Sequence, residues 1–508
     1  MPIALQGEIT IVRARIATVE PSEGGVVLRI DGRRYEFPDA WALPGLVDAH
    51  AHIVGLGIAQ REAYLRGAQS KDECIERVGA MLSRRGDWIV ARGWNHELWS
   101  PPQFPTAADL DAIFADVPVA LTRVDGHALW VNSRALDIAG ISETTSSPPG
   151  GAILRSDDGK PSGILLDTAM EFVERHIPPL TATDVEEAIL AATDLCSRAG
   201  LTEIHDMDVD PTNLPIFTNL AEAGKLRCRV LSWVRGQHRQ WHRAGILPTV
   251  GQLHRVVGIK LFADGALGSR GAALLDPYFD DPTTSGLLLL DRDDMISHIE
   301  SALEDGFTSI AVHAIGDRAV RTVLDAFEEI RLRYPNSDDV RLRIEHSQVV
   351  HPNDLLRYVQ VGAIASVQPI HCTSDATMAT RRLGMRTQHA YRWRSFLECG
   401  VVLCAGSDFP VESHDPLLGI EAFCRRTPPH SQNPWHPEES ISRRDALDAY
   451  TIAAHRAADT NYRRGRILPG MDADITIFDR NLETCHDSEI TQARTFATVV
   501  GGTLYMHK

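Results

Sequence analysis

The stretch GLVDAHAH ends on His50 and His52, one residue apart. Side chains of an extended strand alternate between faces, so both imidazoles fall on one side and can reach a single ion. An HxH pair alone serves as readily in a polar network as in a metal site. Here it has company: His313 follows the apolar run SIAV, His346 follows RLRIE, Asp408 follows VVLCAGS, and Lys260 closes GIK ahead of the turn ADGALGSRG. Protonated lysine is a poor ligand, but its carbamate is a bidentate anion able to bridge two ions. Four histidines, a carboxylated lysine and an aspartate are enough ligands for two divalent ions with positions left open for water. Each residue taken singly passes as an isolated polar side chain. Six at the ends of apolar runs do not.

Such ligands need elements that carry them to one place. Eight strand candidates are present: the run ending at Val47, TEIHD, RCRVLSWV, VVGIKLF, FTSIAVH, RLRIEH, GAIASVQ and VVLCAGS. Helical patterns follow many of them. Val185, Ala188, Ile189, Ala192, Leu195, Cys196 and Ala199 share one face, with Gly200 as C-cap, and Ala319, Val320, Val323, Leu324, Phe327 and Ile330 share another. Alternation of strand and helix predicts a parallel sheet, and eight strands predict an α/β fold of the (β/α)8 barrel type, whose catalytic groups stand at the C-terminal strand ends. Residues 45–465 are expected to form this barrel. Short alternating runs at the two ends, residues 1–44 and 466–508, predict strands that pair as a composite β-sandwich. The segment from about 67 to 180 is too long for a first crossover and holds Trp88, Trp94, Trp99 and Trp130. It is expected to be an inserted subdomain beside the site, with SSPPGGAI as an irregular loop or lid.

Composition narrows the partners. The 508 residues are 44% hydrophobic and 23% charged, ordinary values for a globular chain. Acids outnumber bases 68 to 51, and the net charge of -17 disfavours nucleic acid and anionic membranes, leaving a small-molecule substrate. No run approaches transmembrane length, and the N-terminus lacks the features of a signal peptide. The eight cysteines form no CxxC pair and read as reduced residues of a cytoplasmic protein. A homodimer is the base expectation.

PGLVDAHAH, GIKLFADGALGSRGA, VHAIGDRAV, RIEHSQ, AGSDFPV and, near the end, PGMDADITIFD together resemble the amidohydrolase superfamily, specifically its YtcJ-like branch, which includes N-substituted formamide deformylases. The resemblance implies that His50 and His52 bind one metal and His313 and His346 the other. It further implies that Lys260 bridges them as a carbamate, and that Asp408 binds metal while moving protons. Some members use one metal or another bridge, in which case Lys260 would form an ion pair. The implied chemistry is attack of an ion-activated water on a polarised carbonyl, with Asp408 relaying the proton to the leaving group. An amide-type C–N bond is the default target. An ester, or isomerisation or decarboxylation on the same scaffold, is the alternative, and a non-catalytic binding protein a further one. Zinc is the expected ion, with Mn, Co or Fe as substitutes.

Other residues carry two readings. Trp94, Asn95, Arg123, Asp125 and His127 frame a substrate pocket, or else Trp94 belongs to the insertion's core and Arg123 pairs with Asp125 structurally. Arg270 holds a substrate carboxylate or fixes its loop to an acid such as Asp264. His371 and Gln368 are equal candidates to face the pocket from the seventh strand's end. Asp317 is expected to cap the helix after it, Asp206 to support a ligand or remain a satisfied rim residue, and His238 and His242 to be solvated.

Overall fold

A computed structural model describes residues 3–61, 63, 65–81, 84–335, 339–429 and 431–507. All eight apolar runs are strands: β1 (Leu46–Ala51), β2 (Leu201–Val209), β3 (Arg229–Arg235), β4 (His254–Phe262), β5 (Ser309–Ala314), β6 (Arg341–His346), β7 (Ala363–Val367) and β8 (Val402–Ala405). They pair in parallel, each with the next, in one eight-stranded sheet. The strands are buried along almost their whole length, which is why they read as near-continuous apolar runs. Register aligns the candidate ligands: Phe262 lies beside His313, His313 beside Glu345, and Ala314 beside His346.

Beyond β8 the chain returns to β1. Asp408 N–H donates to the His50 carbonyl at 2.7 Å, and His52 N–H donates to the Phe409 carbonyl at 2.9 Å. The Asp48 carboxylate accepts from Ser407 N–H at 3.0 Å and Ser407 Oγ–H at 2.5 Å. This approach needs the glycine at 406, because a Cβ there would collide with the backbone nitrogen and Cβ of His50. The sheet thus closes into a barrel at its C-terminal rim.

Helices cover the outside. α1 (Ile53–Ala59) follows β1, and α2 (Ala182–Arg198) precedes β2 with a Thr181–Asp184 capping box. α2 buries Val185, Ala188, Ile189, Ala192 and Cys196 as its spacing predicts, and its cap residue is Ala199, with Gly200 one place beyond. α3 (Asp317–Arg333) buries the expected face from Ala319 to Ile330. Its cap differs from expectation: Gly316 is the N-cap, and the Asp317 carboxylate accepts Leu275 N–H at 2.8 Å instead. Asp264, more than fifty residues earlier, takes the N–H groups of Ile315 and Gly316 at 3.0 and 2.8 Å.

Between α1 and α2 lies a six-stranded sheet built from Arg84–Arg85, Trp88–Trp94, Val119–Arg123, Ala128–Val131, Gly151–Arg155 and Pro161–Asp167. Gly151–Arg155 is therefore a strand where an irregular loop was expected. At the chain ends, strands within residues 7–38 form one four-stranded sheet, and Trp41–Pro44 joins three strands of residues 475–506 in another. Ile9, Ile11, Leu28 and Phe37 of the first share an apolar cluster with Ile475, Ile477 and Val499 of the second. Among the described residues no helix is long and apolar enough to cross a membrane.

Candidate metal centre

His50 and His52 end β1 on one side of the strand, and each is turned by a bond on its Nδ1. His50 Nδ1–H donates to Glu345 Oε2 at 2.6 Å, and His52 Nδ1–H donates to the Met207 carbonyl at 2.9 Å. The Nε2 atoms then face one carboxylate oxygen, Asp408 Oδ1, at 3.5 and 3.0 Å. Fixing a histidine tautomer through its second nitrogen is how protein metal sites orient ligands. His313 is the mirror case: its Nε2 lies 3.4 Å from the Gly265 carbonyl and 3.6 Å from Asp264, which leaves Nδ1 for a ligand. The ring of His346 lies 4.4 Å from that of His313 and 5.0 Å from that of His50, centroid to centroid, and its buried Nδ1 has no hydrogen-bond partner. Lys260 is 1% exposed, with Nζ 4.2 Å over the Phe262 ring.

This donor set fits a divalent cation. His50, His346 and Asp408 each offer an atom within 4.8 Å of the others. Burial holds His50, His313 and His346 below the usual imidazole range, so they stay neutral, the form that ligates. Asp408 is also buried, yet the neighbouring imidazoles of His371, His52 and His50 hold it well below the ordinary carboxylate range, so it is ionised. Burial lowers the pKa of Lys260 against the attraction of Glu345, Asp208 and Asp408.

Several groups that sequence reasoning missed support these ligands. Glu345 is fully buried, and although burial opposes its ionisation, Arg343 and His50 hold it in the charged form. Arg343 Nε–H donates to Glu345 Oε1 at 2.8 Å, and its other nitrogens reach Ala49 O, Ser366 Oγ and His205 Nδ1. Asp48 accepts His50 N–H at 3.1 Å, and its carboxyl is pushed up to about 7 by burial. Asp206, one of the two-way residues, takes the N–H of Ile53 at 2.8 Å and so fixes the chain just past His52. A visible signal existed for Arg343 and Glu345: two charged residues at i and i+2, on one face of a run expected to be a barrel strand.

Above the rim lies a cavity of about 940 Å³. Asn95, Arg123, Asp125, His127 and His371 line it, together with His50, His52, Lys260, His313, His346 and Asp408. Trp94, Arg270 and Gln368 do not. Trp94 packs against Trp99, Trp130 and Phe104, and its Nε1–H donates to the Leu121 carbonyl at 2.7 Å, so it is insertion core. Arg270 pairs with Asp280 at 3.1 Å, neither with Asp264 nor with the cavity. Gln368 occupies the N-cap position of α4 (Pro369–Leu383), 2% exposed and away from the wall. His371 belongs to the first turn of α4 rather than to the strand end, with Nε2 3.3 Å from Asp408 Oδ2. His238 and His242 are exposed, the latter 2.9 Å from Asp305.

The glycine-rich turn after β4 is a seat for the insertion. His127 Nδ1–H donates to Asp167 Oδ1 at 2.8 Å. A Cβ on Gly265 or Gly271 would come within 3.0 and 3.1 Å of the Asp167 carboxylate, and one on Gly268 within 3.1 Å of the Arg123 guanidinium. Arg123 is held in turn by Asp125 and, at 3.0 Å, by Asn95 Oδ1. The Arg123–Asp125 pair is thus structural and also lines the cavity.

A family model described as the amidohydrolase family matches residues 39–505. The chain is 33% identical over 477 residues to "Putative amidohydrolase YtcJ" of Bacillus subtilis, covering 92% of this chain and 89% of that one. It is 26% identical over 482 residues to N-substituted formamide deformylase of Arthrobacter pascens, covering 91% and 88%. Among solved structures, an uncharacterized metal-dependent hydrolase from Pyrococcus horikoshii superposes with a TM-score of 0.75 at 26% identity, covering 96% of this chain and 99% of that one.

Proposed function

Since the chain belongs to the amidohydrolase family, we propose that it hydrolyses an amide-type C–N bond of a small molecule with the help of two divalent ions. The observation that carries this reading is the meeting of His50, His346 and Asp408 donor atoms within 4.8 Å, on the floor of a cavity at the barrel's C-terminal rim. In the proposed assignment His50 and His52 would hold one ion and His313 and His346 the other, with Lys260, as a carbamate, available to both. Burial of Lys260 favours the neutral amine, the form that adds CO2, and among the described residues Lys260 enters no ion pair. A divalent cation supplies Lewis acidity at a carbonyl and makes water a stronger acid. Zinc suits the nitrogen-rich donors, and Mn, Co or Fe would also be accepted.

The chain's own groups supply the rest. Asp408, ionised and touched by His52 on one oxygen and His371 on the other, is placed to take a proton and return it to a leaving nitrogen. Asn95, Arg123, Asp125 and His127 form the insertion's side of the cavity and select the substrate. An amide is favoured over an ester because a leaving amine needs that proton, and the formamide-cleaving relative points the same way. The cavity suits a small molecule, and we take the protein to be a cytoplasmic homodimer that engages neither nucleic acid nor membrane.

Elemental analysis of chelator-free protein, with release of butylamine from N-butylformamide by the metal-loaded enzyme, tests the proposal. Two ions per chain, falling towards one or none in Lys260→Ala, support the bridged pair. One ion unchanged by that substitution makes Lys260 structural.

A further inference from the structure

Gln348 stands two residues past His346, where the chain leaves β6. It is 2% exposed and lines the cavity with His346 and Asp408. Its carboxamide Nε2 has no hydrogen-bond partner. Folded proteins keep few buried N–H groups without acceptors, because the desolvation is uncompensated.

The segment around it is firmly held. Ser347 Oγ–H donates to the Ile344 carbonyl at 3.1 Å and lies 2.9 Å from the Tyr358 hydroxyl. The Gln348 carbonyl accepts Tyr391 N–H at 2.7 Å, and Val349 N–H donates to the Ile315 carbonyl at 2.9 Å. His346 and Ser347 have φ of 72° and 43°, left-handed values that side chains other than glycine rarely adopt. Two strained residues pinned from both sides fix the direction in which Gln348 projects. The other amides lack this combination: Gln368, whose Nε2 is likewise buried without a partner, is outside the cavity wall, and Gln69, Asn95 and Asn213, which line the cavity, are not buried.

We propose that Gln348 is a further catalytic residue, donating an N–H hydrogen bond to the substrate's carbonyl oxygen as charge develops there. This rests on the hydrolase reading above. When a water oxygen bonds to the carbonyl carbon, the C=O π pair moves onto the carbonyl oxygen and the water proton passes to Asp408. The oxygen's pair then re-forms C=O as the C–N bond breaks, the C–N electron pair leaves with nitrogen, and nitrogen takes the proton from Asp408. Between these events the oxygen carries the negative charge, so a preorganised N–H stabilises the transition state more than the bound substrate.

The test is Gln348→Met, which keeps length and loses the donor, beside Gln348→Glu, which places an acceptor there. Metal per chain, kcat and KM are measured on the metal-loaded enzyme with N-butylformamide, N-butylacetamide and butyl acetate. For Gln348→Met, kcat should fall about 100-fold, as for loss of one oxyanion donor, with KM and metal content close to wild type and Gln348→Glu no better. Near-normal kcat in Gln348→Met overturns the inference alone, as does a loss of activity that merely follows a loss of metal. A wild type that holds its ions yet is inert on all three compounds overturns the hydrolase reading and the inference with it.

Discussion

Replacing Glu345 with glutamine keeps the shape of the side chain and removes its charge. In the native protein Oε2 takes His50 Nδ1–H at 2.6 Å and Arg343 Nη2–H at 3.3 Å, and Oε1 takes Arg343 Nε–H at 2.8 Å, all three side chains being essentially inaccessible. Glutamine has one carbonyl oxygen. Turned to Arg343, it sets its NH2 against His50 Nδ1, which must then accept and carry its proton on Nε2, the atom that faces Asp408. Turned to His50, it sets N–H against the guanidinium. The first outcome removes the ligand form of His50 and the second leaves a buried cation short of its anion. Loss of such a supporting partner costs about 10- to 100-fold in metal affinity, or about 1.4–2.7 kcal/mol.

The effect on stability should be smaller than for an abolished ion pair. Arg343 keeps the Ala49 carbonyl at 2.6 Å and Ser366 Oγ and His205 Nδ1 at 3.1 Å, and glutamine keeps at least one of the three native bonds. About 2 kcal/mol is expected, below the roughly 3–5 kcal/mol of a buried pair with one partner removed. Competition of metal-free protein with a chromophoric chelator for Zn, together with urea unfolding of the same metal-free samples, measures both. Zinc affinity within twofold of wild type would refute the claim that Glu345 orients His50. A stability loss with unchanged affinity would assign Glu345 to the fold alone.

Asp408→Asn should lower turnover about 1000-fold, within the range for a lost proton-transfer group, while circular dichroism stays native; turnover within tenfold of wild type would exclude Asp408 as the proton carrier. Gly406→Ala should destabilise the protein by several kcal/mol, more than the about 1–3 kcal/mol of ordinary overpacking, because its new Cβ meets the His50 backbone; an unchanged melting temperature would refute closure at this point. Burial pushes the Asp206 carboxyl up to about 7, against about 3.9 in an unfolded chain, so between these pH values the folded state holds a proton that the unfolded state has released. Metal-free wild type should therefore lose stability relative to Asp206→Asn as pH rises from 4 to 7, by up to about 1.4 kcal/mol per unit, and no further above 7. Urea unfolding of both across that window checks it, and a flat or opposite trend would contradict it.

The gathering of the six candidate residues at one rim was legible because two regularities act on them together. Strand alternation places His50 with His52, and barrel topology brings the ends of β1, β4, β5, β6 and β8 to one rim. The same alternation also runs along Arg343 and Glu345 in β6 and along Glu203 and His205 in β2, all four buried. Charged residues two apart in such runs are the mark of a polar barrel interior. What escaped was set by distance in the chain. Asp264 serves Ile315 and Gly316, Arg270 finds Asp280, and Gly265 and Gly271 seat Asp167 from the insertion. No local pattern announces a partner that arrives from another element. The insertion's sheet was illegible for a related reason, since its strands are separated by turns and single helices with no common period.

Unfavourable features concentrate where the candidate ligands meet. Asp208, His346, Ser347 and Asp408 all hold positive φ, between 43° and 72°, at or just past the ends of β2, β6 and β8. Left-handed backbone in residues other than glycine costs on the order of 1–3 kcal/mol each. Lys260, Glu345 and the imidazoles of His50, His313 and His346 are buried in the same volume, where apolar side chains would pack without desolvation cost. Glycine or asparagine at 346 and 408, and leucine at 260 and 345, would give a sturdier barrel rim and no donors. A cation that binds only the folded state at about 1,000 times its Kd adds about 4 kcal/mol of stability, enough to offset two or three of these strained residues. Folding and metal binding are then coupled at this rim, and the metal-free protein should open there before it opens anywhere else in the barrel.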